Sequence, residues 1–425
     1  MPKKVLILII AITLLIIGAV IWYFFFMPGA QPSLPQSDSN ILPFGAGPQN
    51  TNTPNTNGGQ GGTIGTSTIS GGENTVMSPE QILSLRQISN TPTAGATTFD
   101  TKTATFIRYV DRAVGHIYDV DTQTWATIKI SNTTIPKIYD TLWVNNGSGL
   151  IMRYLDETGS IQNFYTDIKK PTNVATSTNQ TPTQLEGVFL PSNINEMATS
   201  PKTDRFVYFT NTNTNATGII SNLDGKKRTP IFSSPFTEWL VSWPKEGIVT
   251  LTTKPSSNVV GIMYFLNTIN GNLNKIIGDV PGLTTLTNSD ASKVLYSGNR
   301  SNNIELNIYT IEDDSNRLAG LSTLPEKCVW SKKDTDIVYC GVPKVTPSGS
   351  YPDLWYQGVV SFNDDLWKID TKTGTTEIIA HIKDLSETEM DVSKPFLTTK
   401  EDFFIFINKK DLTLWSFDLN SLNVR

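Results

Sequence analysis

Two histidines, two cysteines and a handful of clustered carboxylates are the residues of this 425-residue chain that could do chemistry. His116 in "VGHIYDV" and His381 in "IAHIKDL" both lie in strand-like runs, and neither has the partners of a nucleophile or a metal site. They read as satisfied structural imidazoles. There is no G-x-S-x-G elbow for a Ser–His–Asp set, no EF-hand calcium spacing, and no third Cys or His cluster to complete a metal site. The sequence therefore implies no metal and no cofactor. Acids gather in "FNDDLWKID" (Asp364, Asp365, Asp370) and "IEDDSN" (Glu312, Asp313, Asp314). Glycoside chemistry needs two carboxyls at a set separation around a sugar cleft, which closeness in sequence does not supply. As these acids fall in periodic turns, they read as solvated turn residues.

Aromatics give a better candidate. The segment "PKVTPSGSYPDLWYQGVVSFNDD" (343–365) crowds Tyr351, Trp355 and Tyr356 beside Asp353, Asp364 and Asp365. Tyr and Trp next to acids can stack on a sugar or anchor a protein, and long loops on a rigid scaffold commonly carry binding. These six residues form the expected ligand- or partner-binding site. Trp239, Trp243, Trp330, Trp367 and Trp415 recur at regular intervals instead and read as core.

Both cysteines fall in "CVWSKKDTDIVYC" (328–340), whose midpoint is Asp334 in a polar turn. If the flanks pair as a hairpin, Cys328 and Cys340 stand opposite one another at about 4.5–5.5 Å between Cα atoms, within reach of a disulfide. An oxidising compartment would close that bridge.

The N-terminus supplies the compartment. Val5 to Phe26 is an uncharged apolar run that spans roughly 30 Å as a helix, the thickness of a bilayer core. It is too long for the apolar region of a cleaved signal peptide and ends in Trp22 and Tyr23, which suit a membrane interface. Lys3 and Lys4 precede it, and no further Lys or Arg appears before Arg86. The positive-inside rule then leaves residues 1–4 in the cytoplasm, anchors 5–26 in the lipid bilayer and sends the rest outside. Residues 27–77, rich in Pro, Gly, Asn, Thr and Ser, read as a flexible tether. The net charge of −5 argues against nucleic acid as a partner.

The folded region, 78–425, opens at "SPEQILSLRQ", where Ser78 and Pro79 suit the start of a short helix. Beyond it come short alternating apolar runs such as "TATFIRYV", "DRFVYFT" and "DFFIFIN", the pattern of an all-β domain. An Asp- or Asn-bearing turn recurs at "DVDTQT" (119), "LDETGS" (155), "NLDGKK" (222), "NTINGN" (267), "IEDDSN" (311), "DTKTGT" (370) and "FDLNS" (417). A period of about 40–50 residues in a strand-rich chain marks a β-propeller with one four-stranded blade per repeat. Seven blades are expected. The last turn lies close to the C-terminus, so the final blade should borrow a strand from the start of the domain, around Thr103 to Val110.

"ATSPKTDRFVYFTN" (198–211), "TNSDASKVLYSG" (287–298) and "TTKEDFFIFINKKDLTLWSFDL" (398–419) resemble the SPDG-x-x-I-x-Y repeats of TolB-like, WD40-like (PD40-type) propellers, although another residue replaces the Gly of that turn in each. Anchor, stalk and propeller together, with "GHIYDVDTQT" and "EKCVWS", look like a family of membrane-anchored bacterial envelope proteins. The resemblance implies a fold and leaves function open. The expectation is a non-catalytic module binding a protein or glycan of the cell envelope. The alternative is a propeller enzyme acting on surface polysaccharide.

Overall fold

The computed structural model describes residues 84–168, 182–212 and 214–424. The expected cytoplasmic residues 1–4, anchor 5–26 and tether 27–77 lie outside them. Among the described residues no helix is long and apolar enough to cross a membrane.

Seven four-stranded antiparallel sheets follow one another along the chain. Blades 1 to 6 span 93–129, 138–189, 194–234, 239–281, 284–318 and 328–380. Blade 7 takes three strands from 392–418 and its outermost one, Leu85–Gln87, from the beginning of the domain. Ring closure by a borrowed strand therefore holds, but the strand is not the expected one. Thr105–Asp111 is the second strand of blade 1. The stretch expected to begin a helix reaches the described residues as a strand, with Leu85 opposite Phe417 and Gln87 opposite Trp415.

Burial explains why these runs make blades. Seven apolar clusters occupy the seven junctions: Val110 with Leu150 between blades 1 and 2, Ile151 with Phe206, Val207 with Val249, Met263 with Val294, Leu295 with Val338, Leu366 with Phe404, and Ile405 with Ile107 back at blade 1. Second strands are covered on both faces by neighbouring blades. That is why Phe206 to Phe209 and Phe404 to Ile407 are apolar without alternation and fully buried. Trp239, Trp243 and Trp330 are buried in these junctions.

The turn chemistry also appears as expected, with one displacement. Asp121, Asp224, Asn267, Asp313, Asp370 and Asp418 each accept the backbone N–H two residues on, and each marks the end of a third strand. The turn at 155 joins the second and third strands of blade 2 instead. Asp156 satisfies it with the same hydrogen bonds, from Thr158 and Ser160, so the letters look alike. The SPDG-like segments form the turns between first and second strands, and the position of the missing Gly keeps a left-handed backbone: φ is 56° at Thr203, 57° at Ala291 and 54° at Glu401.

Cys328 and Cys340 are register partners on the first two strands of blade 6 and are joined by a disulfide.

Candidate functional site: the insert-capped mouth of the propeller axis

In each blade the first strand lies at one edge of its sheet, and the first strands of blades 1 to 4 and of blades 6 and 7 contact their neighbours around the axis. Antiparallel pairing puts the starts of these strands on the same face as the turns between second and third strands. The opposite face carries the SPDG-like and Asp-capped turns.

At that start three blades repeat one device. A fully buried aliphatic, Ile138, Ile194 or Val392, is followed two residues later by Asp140, Glu196 or Lys394. A bulge interrupts the strand here in each case, and a bulge re-aims the side chain it carries. Lys394 Nζ lies 2.6 Å from Asp140 Oδ1. Blade 1 stands between blades 7 and 2, so this ion pair passes across blade 1's inner edge at the mouth of the axis. Blade 1 has Gly95 after its bulge, where a Cβ would come within 2.1 Å of Thr141 Oγ1.

Arg153 backs the cluster. It donates to the carbonyls of Ile194 (3.0 Å) and Asn195 (2.8 Å) and sits 3.7 Å from Asp140 Oδ2. Burial pushes Glu196 up to about 7, with Arg153 opposing and Asp140 reinforcing the shift. Tyr139 Oη, Thr141 Oγ1 and Glu326 Oε2 have no protein partner here.

The insert caps this mouth. It connects the second and third strands of blade 6 and carries a one-turn helix, Asp353–Tyr356. Asp353 accepts from Ser257 N (3.0 Å) and Ser257 Oγ (2.8 Å), which fastens the insert to blade 4. Lys409 of blade 7 donates to Trp355 O at 2.7 Å. The insert thus lies across the face between blades 4 and 7. Tyr356, 40% exposed, donates its hydroxyl to Glu326. Desolvation, then the Glu326 charge, raises the Tyr356 hydroxyl, and Glu196 adds to the shift from blade 3.

The six residues singled out from the sequence divide between two places. Tyr356 stands at the mouth and Asp353 is the clamp. Tyr351 is buried, with Phe362 5.7 Å away and its hydroxyl on Pro347 O. Trp355 is buried, its Nε1 on Asp391 Oδ1 and Oδ2 at 3.1 and 3.0 Å. Asp364 and Asp365 are buried at the start of a strand rather than solvated in a turn, as the sequence pattern implied. Asp365 holds His381 Nδ1 at 2.9 Å, and Asp364 holds Lys327 Nζ at 2.7 Å. Asp140, Glu196, Glu326 and Lys394 did not emerge from the sequence reading, though "IYD", "INE" and "VSK" at three blade starts carry the signal. Among the described residues no group of His, Cys, Asp or Glu is arranged to hold a metal.

No family model and no curated relative matches the chain. Solved structures do. An oligogalacturonate lyase from Vibrio parahaemolyticus is 8% identical with a TM-score of 0.51, covering 79% of this chain and 93% of that one. An oligogalacturonate lyase in complex with manganese is 13% identical with a TM-score of 0.46, over 77% and 96% of the two chains. TolB from Acinetobacter baumannii is 12% identical with a TM-score of 0.38, over 76% and 78%. At such identities the likeness is one of fold. With seven four-stranded blades closed by a strand from the start of the domain, the chain has the fold of a seven-bladed β-propeller.

Proposed function

We propose that this protein is a membrane-anchored, extracytoplasmic binding module whose insert-capped axial mouth docks a protein or glycan of the cell envelope. The observation that carries this reading is the convergence of Tyr356 with Glu326, and of Asp140 with Lys394 and Arg153, on one face. Side chains from the insert and from blades 2, 3, 6 and 7 meet there, with Tyr356 and Lys394 exposed at the rim. Polar groups fixed by a rigid scaffold and exposed at its mouth are what a polar ligand recognises. The apolar run 5–26 supports anchoring, and the Cys328–Cys340 bridge fits an oxidising exterior.

Shortening the insert would be a poor test, because Trp355 and Tyr351 belong to the core beneath it. Tyr356→Ala and Lys394→Glu alter the rim alone. In crosslinked native membranes, a partner retained by the full chain and lost with both variants supports docking. Equal recovery with both would overturn it, and a glycan array on the full chain separates the two partner classes.

A second reading rests on the Glu196–Asp140 pair. A carboxyl raised to about 7 beside another carboxyl is the arrangement that general acid–base chemistry uses. Release of cleaved product from envelope polysaccharide, abolished by Glu196→Gln, would favour the enzyme.

A further inference from the structure

Lys327 is the one lysine among the described residues that is fully buried. It ends the turn Pro325–Lys327 that leads into blade 6. Its Nζ lies 2.7 Å from Asp364 Oδ2, contacts Asp391 Oδ1, and donates to Val392 O at 2.9 Å. All three charged side chains have no exposed surface. The rings of Trp355 and Phe362 stand 5.3 and 5.2 Å from Nζ and exclude water from the group.

The two carboxylates are not equivalent. Asp391 is saturated with donors besides Lys327: Trp355 Nε1, Ser361 Oγ at 3.1 Å and Phe362 N at 3.0 Å. Asp364 receives only the Val392 N–H (2.6 Å) and Lys327, both on Oδ2, and its Oδ1 has no partner. Burial raises Asp364 to about 6, with the Asp391 charge adding to the shift. A buried Lys–carboxylate pair with a second acid in contact is poised to exchange its proton for neutral amine and neutral acid.

We propose that Lys327 and Asp364 form an intramolecular isopeptide bond, with Asp391 as the proton shuttle. The Asp391 carboxylate carries one proton from the Lys327 ammonium to Oδ1 of the Asp364 carboxylate, leaving a neutral amine and a neutral acid, and the Nζ lone pair attacks Cγ of Asp364. The Val392 N–H holds Oδ2, the oxygen that becomes the amide carbonyl. Asp391 then takes a second proton from Nζ of the tetrahedral intermediate and gives it to the Oδ1 hydroxyl, which leaves as water. One N–C bond forms, one C–O bond breaks, and one water is lost. Charge is conserved, since the cation and anion of the pair vanish together and Asp391 ends as it began. No oxidant or other co-reactant is needed. Afterwards Asp391 keeps its three neutral donors, and Lys409, 4.9 Å from the Trp355 ring, remains as a nearby positive charge. Asp364 also lines a cleft of about 380 Å³ with Ser361, Asn363 and Lys344, into which the water can escape.

The bond would join the entry of blade 6 to its third strand. It would enclose both the disulfide hairpin and the insert, so that the capped face could not peel away.

The test is a peptide map of the reduced full-length protein, together with its intact mass. The expected result is a branched peptide linking the segments that hold Lys327 and Asp364, lighter by one water than their sum, with no tryptic cleavage after Lys327. Lys327→Met and Asp364→Ala should each give linear peptides. Asp391→Asn should slow bond formation by about 100-fold or more, as loss of a general acid–base does. Linear peptides carrying free Lys327 and free Asp364 in the wild-type protein would overturn the proposal, whether or not the variants fold.

Discussion

Single side chains replace the glycine of the SPDG turn, and their contacts explain why. A non-Gly residue in the left-handed region costs roughly 1 kcal/mol, yet Glu401 and Thr203 occupy it because each ties its blade to the one before. Glu401 accepts from Ser331 Oγ (2.6 Å), Lys332 N (2.7 Å) and Lys333 N (3.0 Å) of blade 6. Thr203 Oγ1 accepts from Asn146 N of blade 2 at 2.9 Å. Glu401→Ala should therefore lower stability by about 1–3 kcal/mol in a denaturant titration, since it strands bonds made to a charge. An unchanged midpoint would contradict the clamp. Glu196 carries a second expectation at this scale. Its carboxyl rises from 4.5 to about 7 on folding, so its favourable contribution is complete below the unfolded value and is lost as pH climbs through about 7. Comparison of pH–stability curves should show wild type losing stability relative to Glu196→Gln between those limits, and parallel curves would count against the buried carboxyl.

Among the elements, the strand run of blade 1 contains its own exception. Arg108 is fully buried between Phe106 and Val110, paired in a bidentate manner with Asp119 at 2.6 Å twice over and bonded to Gly147 O of blade 2 at 2.8 Å. Arg108→Ala would leave the Asp119 charge uncompensated and should cost about 3–5 kcal/mol by chemical unfolding, whereas a surface Arg would cost little. The disulfide should contribute up to about 3 kcal/mol, read by comparing wild type with the Cys328→Ser, Cys340→Ser double variant. Strand positions and hairpin turns were legible in the sequence because alternation and Asp-capped turns are local. The turn at 155 deceived because Asp156 makes the same local bonds at a different strand junction. The closing strand was misplaced since Leu85–Gln87 is short and its partner, Leu414–Asp418, lies at the far end of the chain. Asp364 and Asp365 looked like turn acids because Lys327 and Asp391, the charged groups buried with Asp364, lie far from it in sequence.

For the whole molecule, one asymmetry matters most. Blade 6 sends an insert over the face that carries the bulged inner strands. The aromatic half of the site was visible in the sequence as a cluster. The charged half was not, because Asp140, Glu196 and Lys394 come together only when the ring closes. If that face is the docking surface, contact must be specific to it. A photo-crosslinking amino acid should be introduced at Tyr356 and, separately, at Ile269, which is 89% exposed on the Asn267-capped turn of the opposite face. Irradiation of cells carrying each full-length variant should give a discrete adduct from position 356 and none from 269. Adducts from both positions alike, or from 269 alone, would contradict a docking site at the insert-capped mouth.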